Sequence, residues 1–410
     1  MTRPPGSYAL GVSLLLSAAC ASAEADRAAF DQVDTVASPA ASASGEPNLA
    51  TLPNGRVLLS WLEAIGDTAH AFRFATFDGS AWSAPKTIAQ SSDFFVNWAD
   101  FPSVIALSDD HLAAHWLQRN GTSKYAYEVR IAQSLDGGTT WTAPTVPHRD
   151  GTATEHGFVS LFPFRDSLGA IWLDGRNFAA AQKGASPNMM LVMTSVSPSG
   201  AAAPERVLDE RVCDCCQTSL ATASGGPVVV YRDRLDGEIR DIGVIRWSDS
   251  GWTRGTLVHR DNWKIDACPV NGPAIAADGR RVVVAWFTSA GDTSRVYLAQ
   301  SDDGGATFGS PIRIDDGNPV GRVDVLLDRD GTAVVSWMEF TSGQQAEVRA
   351  RRVAASGESS ASLTIAQSSG ARASGFPRMT AAGDAVIFAW TEPGNPARVR
   401  VARASVKRSS

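Results

Sequence analysis

Ser134–Trp141 reads SLDGGTTW and Ser301–Phe308 reads SDDGGATF, two fits in one chain to the pattern S-x-D-x-G-x-T followed by Trp or Phe. In such an octapeptide the aspartate accepts backbone N–H bonds across a tight turn. The glycine takes up a backbone conformation that other residues avoid, and the terminal aromatic packs beneath the hairpin. Two eroded copies, Thr76–Trp82 and Ser248–Trp252, keep the acid, the glycine and the tryptophan. The motif fastens turns and cleaves nothing, so its recurrence marks a repeat protein.

A second landmark sets the period. Seven short apolar runs end in an aromatic residue, at Trp61, Trp116, Trp172, Tyr231, Trp286, Trp337 and Trp390, spaced 55, 56, 59, 55, 51 and 53 residues apart. A repeat this long, made of β-branched runs and Gly-rich turns, predicts an all-β fold, a β-propeller of four-stranded blades with seven units; a six-bladed ring with one unit outside it is the alternative. The last unit stops after its third strand. The segment Phe30–Val36 is expected to supply the missing fourth strand, which closes the ring and leaves no open sheet edge.

Composition fits a folded body: 410 residues, 44% hydrophobic and 20% charged, with a net charge of −6 that offers no basic field for nucleic acid. The N-terminus differs. Arg3 precedes an apolar run from Tyr8 to Leu16 and then Ser17-Ala18-Ala19-Cys20, which reads as an export signal over residues 1–20 with a lipobox-like end. Lipidation at Cys20 would make the membrane a partner through a lipid anchor only. Ala21-Ser22-Ala23 is the competing cleavage site, and it would release a soluble protein. Residues 21–45 then form a spacer that includes the ring-closing strand, and 46–405 form the propeller.

With the boxes and the period on the page, the chain resembles the sialidase superfamily of Asp-box (BNR) repeat propellers over nearly all of its length beyond the leader. The resemblance implies a protein that acts on or binds a glycan, and the leader adds export. Family sialidases hold the sugar carboxylate with three arginines, the first in an F/Y-R-I-P motif on the opening blade. They also use an Asp acid/base and a Tyr nucleophile activated by Glu near the C-terminus. Here the opening blade reads Gly45-Glu46-Pro47-Asn48-Leu49 and the last two units contain no Tyr, although Glu339 and Glu392 stand at possible carboxylate positions.

In four-stranded blades the strand 2–3 loops and the links between blades open on one face, opposite the boxes. The richest segments on that face are Asn97–Phe101, Thr154–Gly157, Trp172–Asn177 and Tyr231–Arg234. From them come Asp100, Glu155 and Asp174 as candidate catalytic carboxyls, and Trp98, His156, Arg176, Arg232 and Arg234 as candidate ligand-binding residues. Guanidinium groups gathered at one channel mouth suit an acidic glycan or another anionic small ligand. Alternation along the strand sends one of Arg232 and Arg234 away from the channel. Two His-Arg-Asp triplets, 148–150 and 259–261, recur at corresponding points of non-adjacent units.

Cys213, Cys215 and Cys216 are matched one blade later by Cys268: Cys213 lies 18 residues before Tyr231, and Cys268 lies 18 before Trp286. Four cysteines in an exported protein predict two disulfides. Register favours Cys213–Cys268 and leaves Cys215–Cys216. The alternative is thiolate ligation of copper, the one cofactor the sequence suggests. Three functions therefore stay open: a sialidase-type glycan enzyme, a binding propeller without catalysis, and a thiol- or copper-dependent envelope protein.

Overall fold

The computed structural model describes residues 30–181 and 187–406; the leader, with Cys20, lies outside them. Seven blades form a ring. Their innermost strands, in blades one to seven, are Ser44–Thr51, Ser103–Ala106, His156–Phe164, Ser219–Ala223, Ala274–Asp278, Pro319–Leu327 and Arg378–Ala382. Blade two has three full strands and holds its outer edge by one bridge, Ile131 to Thr145. Blade four carries two short pieces at its edge, Gly251–Trp252 and Thr256–Leu257.

Ring closure follows the expectation. Phe30–Val36 lies antiparallel to Arg398–Val406 as the outer strand of blade seven, with Phe30 opposite Val406 and Val36 opposite Val401. The six-bladed alternative falls with it. The described residues hold one short α-helix, Arg176–Ala181, in a strand 2–3 loop.

The boxes work as the turn chemistry requires. Asp136 accepts N–H bonds from Thr139 (3.0 Å) and Thr140 (2.8 Å), and Asp303 does the same for Ala306 and Thr307, both at 2.9 Å. These donors hold the Asp136 carboxyl down at about 2. Gly138 has φ +75°, and a Cβ there would meet Phe74 of blade one at 2.3 Å, so the turn also docks on its neighbour. Of the eroded copies, Asp78 still accepts from Ser80 and Ala81, whereas the other turn relies on Ser248 Oγ bonding to the Gly251 carbonyl.

The aromatic landmark sits between blades, and Trp61, Trp172, Trp286 and Trp337 are fully buried. Each indole needs an acceptor in that apolar layer. Three of them find it two residues on: Trp61 donates to Glu63 at 3.0 Å, Trp172 to Asp174 at 2.8 Å and Trp337 to Glu339 at 2.5 Å. A Trp-x-Asp/Glu element is thus part of the repeat.

Candidate functional site

The inner strands of blades one, three and six carry a bulge at the same height, with Glu46, Phe158 and Arg322 at positive φ. The bulges turn the backbone N–H groups toward the preceding blade, where side chains wait for them. Asp100 accepts from Phe158 N–H at 2.7 Å, Asn271 from Arg322 N–H at 2.7 Å and Thr391 from Glu46 N–H at 3.2 Å; without a bulge, Gln217 likewise accepts from Gly272 N–H at 3.0 Å. Below these ties runs a channel cavity of about 180 Å³, lined by residues of all seven blades. Its mouth is floored by apolar side chains, with Trp98, Phe101, Cys215 and Val270 packed around Phe158 and Phe376. Gln217 crosses it, donating to the Ala99 carbonyl at 2.5 Å.

On the rim of this mouth two of the candidate carboxyls meet through a residue the sequence reading missed. Tyr127 OH lies 2.7 Å from Glu155 Oε1 and 3.1 Å from Asp100 Oδ2. Burial pushes Asp100 up to about 8. Burial and the charge of Asp214 push Glu155 up to about 7. The phenol itself is driven well above its ordinary value, first by burial and then by the two acids. One hydroxyl proton serves two acceptors, so at neutral pH the pair retains protons that ordinary carboxyls give up. Gly157 is required beside it, because a Cβ there would stand 2.0 Å from Asp100 Oδ2. Asp100 and Tyr127 are buried; Glu155 is half-exposed toward the loop that holds Asp214.

The other candidates of blades two and three form a separate buried clamp. Asp174 is the third-blade copy of the Trp-x-Asp/Glu element, fully buried and gripped by Arg176 through Nε (2.7 Å) and NH2 (2.6 Å). Arg176 also reaches Glu205 at 2.6 Å, so its fork is occupied. His156 directs Nδ1 at the Thr154 carbonyl (3.1 Å) and Nε2 at Asp150 (3.1 Å) and Asp174 (3.7 Å). Both nitrogens face a carbonyl or a carboxylate, an arrangement that favours the protonated ring. Burial opposes that charge, and the two carboxylates overcome it and raise its pKa. His148, Asp150 and His156 lie close enough to hold a metal ion. Arg176 stands 3.8 Å from Asp150 beside that group.

Arg232 and Arg234 part ways, but alternation is not the cause, since residues two apart share a strand face: the strand Gly226–Arg232 ends at Arg232, and Arg234 lies in the turn beyond it. Arg232 is buried between blades four and five, donating to the carbonyls of Asn271, Arg240 and Phe287. Arg234 stands at the rim. Nε and NH2 bond Glu238, and NH1 has only a 3.6 Å contact with Asp214. Trp98 stacks on Phe376 at 5.8 Å, with Arg322 4.8 Å and Arg372 6.0 Å from its ring centre.

The disulfides expected from register do not appear: no bond joins the four described cysteines, and Cys213 lies nearest Cys216, at 3.4 Å, and then Cys215, at 4.0 Å. Cys268 brings its thiol against Cys215, not Cys213. Equal height in adjacent blades gave no information on direction: Cys213 points into the interior, whereas Cys268 is exposed on its link.

No protein-family model matches the chain, and no curated protein matches its sequence. Solved structures do. A protein of unknown function from Dyadobacter fermentans DSM 18053 aligns with a TM-score of 0.52 at 13% identity, covering 92% of this chain and 99% of its own. The endosialidase of phage phi92 aligns at 0.51 and 11% identity over 93% of this chain and 70% of its own. The polysaccharide lyase Uly1 aligns at 0.50 and 10% identity over 88% of this chain and 90% of its own. At such identities the likeness is one of fold, and the chain is a seven-bladed β-propeller.

Proposed function

We propose that this chain is an exported glycan-directed propeller that binds an acidic saccharide at the channel mouth and acts on it through Glu155. The observation that carries the reading is the half-buried Glu155 carboxyl, raised to about 7 and tied through Tyr127 to buried Asp100, on a rim that also bears Asp214 and Arg234. A carboxyl that keeps its proton near neutrality is suited to protonating a leaving glycosidic oxygen. Asp214, on the loop of the next blade, supplies the facing carboxylate that glycoside cleavage needs. The NH1 arm of Arg234, held only by its 3.6 Å contact with Asp214, addresses an anionic substituent, and the Trp98 floor offers an apolar surface to a sugar ring. Shared architecture with an endosialidase and a polysaccharide lyase supports the substrate class.

The test is binding and release with a panel of acidic oligosaccharides. Glu155→Gln is expected to keep binding and to lower release at least ~100-fold, and wild-type release is expected to fall as pH rises through about 7, where Glu155 loses its proton. Binding without release across the pH series replaces the enzyme by a binding propeller. No binding to any of them ends the reading.

Export is part of the proposal and rests on the run from Tyr8 to Leu16 followed by Ser17-Ala18-Ala19-Cys20. Mass spectrometry of the mature N-terminus is expected to find an acylated Cys20. A free Glu24 terminus removes the anchor and keeps the export.

A further inference from the structure

Beyond the glycan site, the mouth holds a second constellation that the proposed chemistry does not use. The sulfurs of Cys213, Cys215 and Cys216 all lie within 4.8 Å of one another; Cys268, on the link into blade five, stands outside that group and neighbours Cys215. Four thiolates arranged tetrahedrally around one ion at about 2.3 Å stand about 3.8 Å apart. The separations of 3.4 and 4.0 Å straddle that value, whereas a disulfide brings its sulfurs to about 2.05 Å. The surroundings favour an anionic complex: Arg240 NH1 donates to Cys213 Sγ at 3.2 Å, and the Arg232 charge acts on the same sulfur. Cys213 and Cys216 are buried and Cys268 is exposed, so the set is closed on the protein side and open to solvent at one ligand.

We propose that Cys213, Cys215 and Cys216 hold a soft d10 cation, Zn(II) or Cu(I), and that Cys268 moves in from the link before blade five as the fourth thiolate, pinning the Cys213–Gln217 loop of blade four to that link. All-sulfur tetrahedral donors select such ions over hard cations. Each ligating thiol gives its proton to solvent as the metal binds. Asp214 and Gln217 ride on the pinned loop, so the ion fixes one wall of the channel mouth without itself meeting a substrate.

The full chain, reduced and desalted under nitrogen, is titrated with Zn(II), Co(II) and Cu(I), and its thiols are then challenged with iodoacetamide. One equivalent is expected to shield all four cysteines, and Co(II) is expected to gain sulfur-to-metal charge-transfer absorption that Zn(II) abolishes. Competition between Zn(II) and Cu(I), and the metal found in protein isolated without chelator, distinguish the two ions. Loss of a second-shell partner already costs ~10–100-fold in affinity, so loss of a ligand in Cys268→Ser is expected to cost at least about tenfold. That variant changes an exposed side chain and keeps the fold. Equal alkylation rates with and without metal would overturn the site, as would equal metal affinity in Cys268→Ser and wild type. Either result leaves the glycan reading intact, because oligosaccharide binding is scored separately.

Discussion

Arg232→Met is expected to lower the free energy of unfolding by about 3–5 kcal/mol with no change in the denaturant slope. The side chain is 2% exposed, and its guanidinium makes four hydrogen bonds of 2.6 to 2.9 Å to the carbonyls of Asn271, Arg240 and Phe287. It also lies 4.9 Å from the centre of the Trp263 ring. Methionine fills much of the space and supplies no donor, so three carbonyls lose a charge-assisted bond where water does not replace it. Blade four would then hold blade five by apolar packing and the Gln217 and Ser219 ties. Arg234→Met, two residues away, is expected to change stability by less than ~1 kcal/mol, because its ion pairs with Glu238 and Asp214 lie at the rim. The same change is expected to weaken acidic-oligosaccharide binding. Guanidinium denaturation of both variants beside a binding isotherm separates scaffold from site. Equal losses of stability would show that the two arginines are not divided in this way.

Asp100 makes stability depend on pH in a sense opposite to that of most paired carboxylates. Its pKa is raised from 3.8 to about 8, chiefly by burial, so the stability it contributes is complete below about 4 and is lost as pH rises toward about 8. Within that window the difference between wild type and Asp100→Asn should grow by up to roughly 1.4 kcal/mol per pH unit. Asparagine is isosteric and keeps the geometry: its oxygen accepts from Phe158 N–H, and its amide donates to Tyr127 OH, which then donates to Glu155. Glu155 and Asp233, each raised to about 7, and Asp328, raised to about 6, tilt the wild-type curve the same way, so only the difference between the two proteins reports on Asp100. Asp174 acts in the reverse sense: Arg176 and His156 outweigh its burial and lower its pKa, and its contribution disappears only as pH falls below the ordinary carboxylate range. Chemical denaturation at pH 5, 6.5 and 8 decides it; parallel curves for the two proteins would remove Asp100 from the account.

Much of the scaffold was legible because a propeller repeats its physics. Seven aromatic strand ends gave the blade count, and a last unit without a fourth strand gave the role of Phe30–Val36. The site was less legible, for reasons that differ by residue. Asp174 was readable as scaffold, since Trp61-Leu62-Glu63 and Trp337-Met338-Glu339 repeat its pattern, but the hydrogen bond from indole to acid appears only in the fold. Tyr127 opens a strand of blade two and meets Glu155 through a parallel bridge to the link before blade three. No periodicity within a blade encodes a contact between blades. The cysteines shared a height that sequence could count and differed in direction, which it could not.

The strand that closes the ring also sets which way the molecule faces. The third strand of blade seven runs from the channel-mouth face at Arg398 to the box face at Val406, and Phe30 pairs with Val406. The chain therefore joins the ring from the back. A leash attached ahead of Phe30 would hold the propeller by its box face, with Glu155, Arg234 and the cysteine loop turned outward, so the same closure that removes a sheet edge would present the mouth to whatever polymer lies beyond the surface.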